Sequence, residues 1–284
     1  MNKFSYSHND IKKLLPPRQP NSNKGTYGRV LIIGGAPCMA GAPNFSARAA
    51  YRVGCGLVEV FTHEQNRVIL QTLVPEAVLS VWGENIDFER LDASIKKADA
   101  IAIGMGLSTN ENTLKILKYT LQNANCPLVI DADALNLIAQ NNELFSLVKS
   151  DSIITPHPLE MSRISGVDVA KITANIPDFA QNFADKNNLI CVLKDHNTAV
   201  AKPLSNEIYI NQSGNSGMST GGSGDVLNGI IAGLLAQGCS PYISATLGVF
   251  LHGLAGEHAS EMLSEYSVMA SDIIDSLPEI LANI

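Results

Sequence analysis

Arg29-Val30-Leu31-Ile32-Ile33-Gly34-Gly35-Ala36-Pro37-Cys38-Met39-Ala40-Gly41-Ala42, continuing through Arg52 to Leu57-Val58-Glu59-Val60-Phe61, is the stretch that decides the fold. Val30 to Ile33 is a short β-branched run that stops at two glycines. Residues from about Ala42 to Arg52 read as a helix, and Leu57 to Phe61 returns to a strand. A strand, a helix and a second strand in so few residues fit a right-handed crossover between parallel strands. The alternation continues with a strand at Ala100 to Ile103, a helix at Asn112 to Gln122 and a strand at Pro127 to Asp131. Runs at Ser152 to Thr155 and Ile190 to Leu193 complete the set. The pattern predicts an α/β fold, a three-layer α/β/α sandwich on a mostly parallel sheet.

Outward from that core, Thr198 to Lys202 and Glu207 to Ile210 lie too close together for a helical crossover and predict an antiparallel hairpin at a sheet edge. Asp225 to Gln237, Pro241 to Leu263 and Ala270 to Leu277 carry apolar residues at helical spacing, so the chain should end in a helical segment. At the other end, Ser7 and Asp10 form a capping-box pattern opening a short helix that Pro16-Pro17 stops, and residues 1–24 read as a lead-in. No internal repeat or linker divides the 284 residues, and one domain is expected.

The bulk composition narrows the function classes. Hydrophobic residues at 45% and charged residues at 17% suit a chain that buries a large core. The net charge of -7 argues against nucleic acid as a partner but leaves room for a local anion site built from backbone amides. Five widely spaced cysteines without a CxxC pair indicate neither a disulfide framework nor a zinc cluster. No apolar run approaches the roughly 18 residues that a membrane span requires. With a polar N-terminus, a cytoplasmic location follows as the expectation, and the glycosylation-like triplets at Asn44 and Asn211 are read as chance.

The strongest site signal is Gly214-Asn215-Ser216-Gly217-Met218-Ser219-Thr220-Gly221-Gly222-Ser223-Gly224-Asp225-Val226-Leu227, which runs into a helix. Glycines let backbone approach a ligand, and the unpaired first amides of a helix favour an anion. Asp225 beside them suits a base that takes a proton from a hydroxyl held near a phosphate, although an aspartate here can also simply cap the helix. The segment is not a Walker loop, which needs GxxxxGK followed by Ser or Thr, and Gly104-Met105-Gly106 lacks the third glycine of a dinucleotide fingerprint.

Three more segments offer chemistry. Thr155-Pro156-His157-Pro158-Leu159-Glu160 is a rigid turn at a strand end, where His157 can meet substrate and Glu160 can reach magnesium through water; capping of the next helix is the plain alternative. Val192-Leu193-Lys194-Asp195-His196-Asn197-Thr198 places a lysine at a strand tip, suited to phosphate or ribose. Asp131-Ala132-Asp133-Ala134-Leu135-Asn136 ends another strand with two carboxylates and an amide.

Taken in order, these segments with Gly34-Gly35 and Gly41-Ala42 resemble the ADP/ATP-dependent (S)-NAD(P)H-hydrate dehydratases of the ribokinase-like superfamily over nearly the whole chain. The resemblance implies a ribokinase-like sandwich and a metabolite-repair lyase that restores NADH and NADPH from their hydrated forms. It implies that Ala42, Gly106, His157 and Asp225 touch the hydrated dinucleotide, with Asp225 the catalytic base. It assigns Lys194, Asp195, His196, Asn197, Thr198, Gly221, Gly222 and Gly224 to ADP or ATP, with Mg2+ on the phosphates, for which the strand-end reading above offers Glu160 as the candidate metal residue. A homo-oligomer such as a tetramer, working beside a separate epimerase, is also implied. Three positions depart from the pattern: Met105 stands for proline, Ser108 for glycine, and Asp195 for a common glycine. Two rival expectations use the same anion hole: a kinase of a small vitamin-precursor alcohol, and a nucleotide-binding protein without catalysis.

Overall fold

The computed structural model describes residues 1–283. Ten strands form one sheet: β1 Asn2–Phe4, β2 Arg29–Ile33, β3 Leu57–His63, β4 Val78–Trp82, β5 Ala100–Ile103, β6 Leu128–Ile130, β7 Ile153–Ile154, β8 Ile190–Leu193, β9 Ala199–Ala201 and β10 Glu207–Ile210. The helices are α1 His8–Leu14, α2 Gly41–Arg52, α3 Arg67–Leu73, α4 Phe88–Ile95, α5 Glu111–Asn123, α6 Ala132–Gln140, α7 Pro158–Ser165, α8 Val169–Thr173, α9 Ile176–Asn187, α10 Ser223–Ala236, α11 Pro241–Leu263 and α12 Ala270–Ala282. No helix among the described residues is long and apolar enough to cross a membrane.

Strand order is β1-β10-β9-β8-β7-β6-β5-β2-β3-β4, and every neighbouring pair is parallel except the two made by β9. The central strands are buried on both faces, which is why they read as unbroken apolar runs. Successive residues point to opposite sides and build two cores. Val30, Ile32, Val58 and Ala102 pack toward α2, α10, α11 and α12, whereas Leu31, Ile33, Phe61 and Ile103 pack toward α4, α5, α6 and α9. These are the three layers that the sequence predicts.

Two strands go beyond the sequence reading. Val78–Trp82 pairs with β3 at one edge, and its Trp82 ring lies 5.0 Å from Phe61. At the opposite edge, Asn2–Phe4 pairs in parallel with β10, so the predicted hairpin of β9 and β10 does not form the margin of the sheet. Residues 1–24 are therefore partly a strand of the sheet rather than only a lead-in. Three residues carry too little pattern to announce a strand; Phe4 and Tyr6 stacking on Tyr209 fix this one.

Candidate functional site

The parallel strands deliver their carboxyl ends side by side, and open α/β folds bind ligands at that edge. Asp131 follows β6, Thr155-Pro156-His157 follows β7, and Lys194 follows β8, three neighbours in the sheet. Helix α10 packs over β5 and β6 and brings Ser223, Gly224 and Asp225 to the same place. Gly222 precedes it with φ +92, a left-handed conformation that only glycine adopts freely, and a side chain there would run into the Phe45 ring. No side chain caps α10, and among the described residues the amides of Gly224 and Asp225 find no protein acceptor. A free helix N-terminus of this kind favours an anion.

A cleft of about 820 Å³ opens beside it, of a size suited to a nucleotide. His157, expected at the hydrated dinucleotide, lines it together with Lys194, Asp195, His196, Thr198 and Gly224, expected at the nucleotide. Asn197, Gly221 and Gly222 adjoin the lining without belonging to it. Ala42 and Gly106 meet in a separate corner, where a methyl added at Gly106 would come within 3.2 Å of Ala42 Cβ. Asp225 feels the charges of Asp131, Lys194 and Asp133, and Asp133 Oδ2 accepts the Ser108 amide at 2.7 Å just beyond Gly106.

The charges form one cluster. Lys194 Nζ donates to Asp131 Oδ1 at 2.9 Å and lies 4.0 Å from Glu160 Oε2. Burial, with repulsion from Asp131, pushes the Asp225 carboxyl up to about 7, and Lys194 only partly opposes this. The same two causes push Glu160 to about 7. Burial works against the Lys194 cation, but attraction to Asp131, Glu160 and Asp225 outweighs it and holds the lysine above its ordinary value. Titration poised near neutrality is what a general base requires.

His157 does two things at once. Its Nδ1 accepts the amides of Leu159 (3.2 Å) and Glu160 (3.3 Å), while Glu160 Oε2 accepts the His157 amide at 2.9 Å, a reciprocal cap on α7. The capping alternative for Glu160 is thus realised: Oε2 is engaged, and Oε1 faces His157 Nε2 at 3.4 Å. Among the described residues no group of three or more His, Cys, Asp or Glu side chains is arranged to hold a metal ion.

Several residues of the site escaped the sequence reading. Asn211 and Ser213, noticed only as part of a chance triplet, form a wall of the cleft. His252 of α11 faces Ser223 Oγ at 3.2 Å, with burial depressing its pKa to about 4. Asn228 stands out in the sequence of α10, where it is buried beyond the first turn among otherwise apolar and glycine positions.

A sequence profile of the NAD(P)H-hydrate dehydratase family matches residues 30–279. The chain belongs to this family. Among family members, the bifunctional NAD(P)H-hydrate repair enzyme of Moorella thermoacetica is 38% identical over 95% of the chain and 52% of its own length. The ADP-dependent (S)-NAD(P)H-hydrate dehydratase of Neisseria meningitidis serogroup B is 38% identical over 86% of the chain and 81% of its own length. The chain therefore spans about half of the bifunctional relatives but most of that shorter dehydratase. The crystal structure of the ADP/ATP-dependent NAD(P)H-hydrate dehydratase of Bacillus subtilis, co-crystallised with ATP/Mg2+, superposes with TM-score 0.83 at 28% identity, covering 98% of each chain.

Proposed function

We propose that this chain, acting as one domain, dehydrates the S form of hydrated NADH and NADPH at the expense of ADP or ATP. The observation that carries the proposal is Asp225, poised near neutrality beside the free amides that open α10. Hydroxide leaves a ring poorly; phosphate leaves well. Asp225 takes the proton of the ring hydroxyl as that oxygen attacks the terminal phosphoryl group of the nucleotide. The amides of Gly224 and Asp225, with Gly221 and Gly222 giving the backbone its shape, balance the charge on the transferring group. The lone pair of the ring nitrogen then expels phosphate, and the resulting iminium loses a proton from the adjacent ring carbon, which restores the carbon–carbon double bond of the reduced nicotinamide.

Lys194, Asp195, His196, Asn197, Thr198 and Gly224 would hold the nucleotide, and Ala42, Gly106, His157 and Asp225 the hydrated dinucleotide; Asp225 does not itself line the cleft but directly follows Gly224, which does, and would act where the two ligands meet. Magnesium would screen the nucleotide phosphates. With Oε2 of Glu160 committed to the His157 amide, phosphate oxygens and water would supply most of its ligands, and Glu160 would reach it through water. A cytoplasmic homo-oligomer, such as a tetramer, and a separate epimerase supplying the S form complete the proposal. Met262, Tyr266 and Met269, exposed where α11 turns into α12, offer an apolar surface for self-association.

The test mixes hydrated NADH, magnesium and ADP or ATP with the pure protein and follows the reduced-nicotinamide absorbance. Recovery with release of phosphate is expected. A kinase would instead phosphorylate a hydroxyethylthiazole or hydroxymethylpyrimidine alcohol without recovery, and a silent binding protein would do neither.

A further inference from the structure

Asn228 has no side-chain accessibility to solvent or to the cleft, yet it is the polar residue around which the charge cluster is assembled. Its Nδ2 donates to Asp131 Oδ2 at 2.6 Å, and its Oδ1 accepts from Thr155 Oγ1 at 2.9 Å. A carboxylate only accepts, so the orientation of the amide is fixed by chemistry. Asp131 then offers its other oxygen to Lys194 at 2.9 Å. One buried side chain on α10 thereby ties together the tips of β6, β7 and β8. It sits one helical turn beyond Asp225, on the same side of α10.

Helix propensity and core packing both argue against an asparagine there, because the neighbouring positions Val226, Leu227, Ile230 and Ile231 are apolar and buried. The pair that Asn228 orients lies over the anion hole: a methyl added at Gly224 would sit 3.5 Å from Lys194 Nζ and 3.8 Å from Asp131 Oδ2. We propose that Asn228 is a positioning residue, holding Asp131 so that Lys194 is aimed at the phosphoryl group and Asp225 keeps its working charge state. This rests on the dehydratase reading. The titratable groups facing Asp131 are Lys194 after β8, His157 and Glu160 at the start of α7, and Asp225 on α10, which in turn faces Asp133 on α6.

Asn228→Leu and Asn228→Asp are compared with the parent protein by circular dichroism, by calorimetric titration with ADP and magnesium, and by the pH profile of kcat with hydrated NADH. Asn228→Leu is expected to keep its fold, lose on the order of tenfold in kcat and bind ADP more weakly, because Asp131 and Lys194 lose their anchor. In Asn228→Asp the new carboxyl and Asp131 share one proton. Its activity should fall as pH rises through neutrality, opposite to the parent. Should Asn228→Leu fail to fold, Thr155→Val, which removes the contact that orients the amide, is expected to give a weaker loss in the same direction. Parent-like kcat and pH profiles in the folded variants would overturn the positioning role. A parent protein that binds ADP but never restores NADH would instead overturn the dehydratase reading.

Discussion

Lys194 and Asp131 form a 2.9 Å ion pair directly above the backbone of Gly224, where a transferred phosphoryl group would rest. Breaking a buried pair from one side leaves an uncompensated charge, which typically costs about 3–5 kcal/mol. Lys194→Met should therefore lower the urea midpoint clearly. It should also move the rising limb of the activity profile to higher pH, because Lys194 is the group that pulls the Asp225 and Glu160 carboxyls down. An unchanged limb would show that the lysine does not face these acids.

Asp225→Asn separates function from stability. Loss of the base should lower kcat on the order of a hundredfold or more. The folded-state pKa of Asp225, about 7, lies above its ordinary value of 3.8, so the fold favours the protonated form. The charged carboxylate costs stability that is absent below about pH 4, grows between the two values and is full above about pH 7. The neutral variant should melt higher than the parent at pH 8, with the difference closing as pH falls toward 4. A variant that melts lower at pH 8 would contradict a desolvated carboxylate that Lys194 only partly relieves.

The two amides that His157 Nδ1 accepts leave the ring proton on Nε2, and burial with the nearby Lys194 cation lowers the pKa of the ring below 6.5. His157 should thus be a neutral donor toward the substrate at pH 7. Nitrogen NMR of histidine-labelled protein should show the Nε2–H tautomer, and a protonated ring at pH 7 would contradict the geometry.

Ser108 occupies a left-handed backbone conformation, φ +71, at the position where the family pattern leads one to expect glycine. Ser108→Gly should relieve about 1 kcal/mol or less, and raise Tm by about 2 °C, because Ser108 donates to Asp133 Oδ2 through its backbone N–H, which glycine keeps. A fall in Tm would mean that the serine hydroxyl contributes more than the strain costs.

Much of this was legible in the residues. The runs Val30 to Ile33, Ala100 to Ile103 and Ile190 to Leu193 are buried on both faces, so their unbroken apolar character announced a covered parallel sheet. The glycine loop into α10 was legible because its composition and position have few structural uses. Asn2–Phe4 was not, since pairing with β10 and aromatic packing define it rather than local pattern. Asn211, Ser213, Asn228 and His252 were hidden for a related reason. Each gains its role only when distant segments close on the cleft, and none belongs to a local motif of site chemistry.

The central claim is that the ring oxygen itself receives the phosphoryl group. Hydrated NADH carrying 18O in its ring hydroxyl, turned over with ADP and magnesium, tests it most directly. The label should appear in the inorganic phosphate as the reduced nicotinamide returns; label released as water, with unlabelled phosphate, would contradict the account.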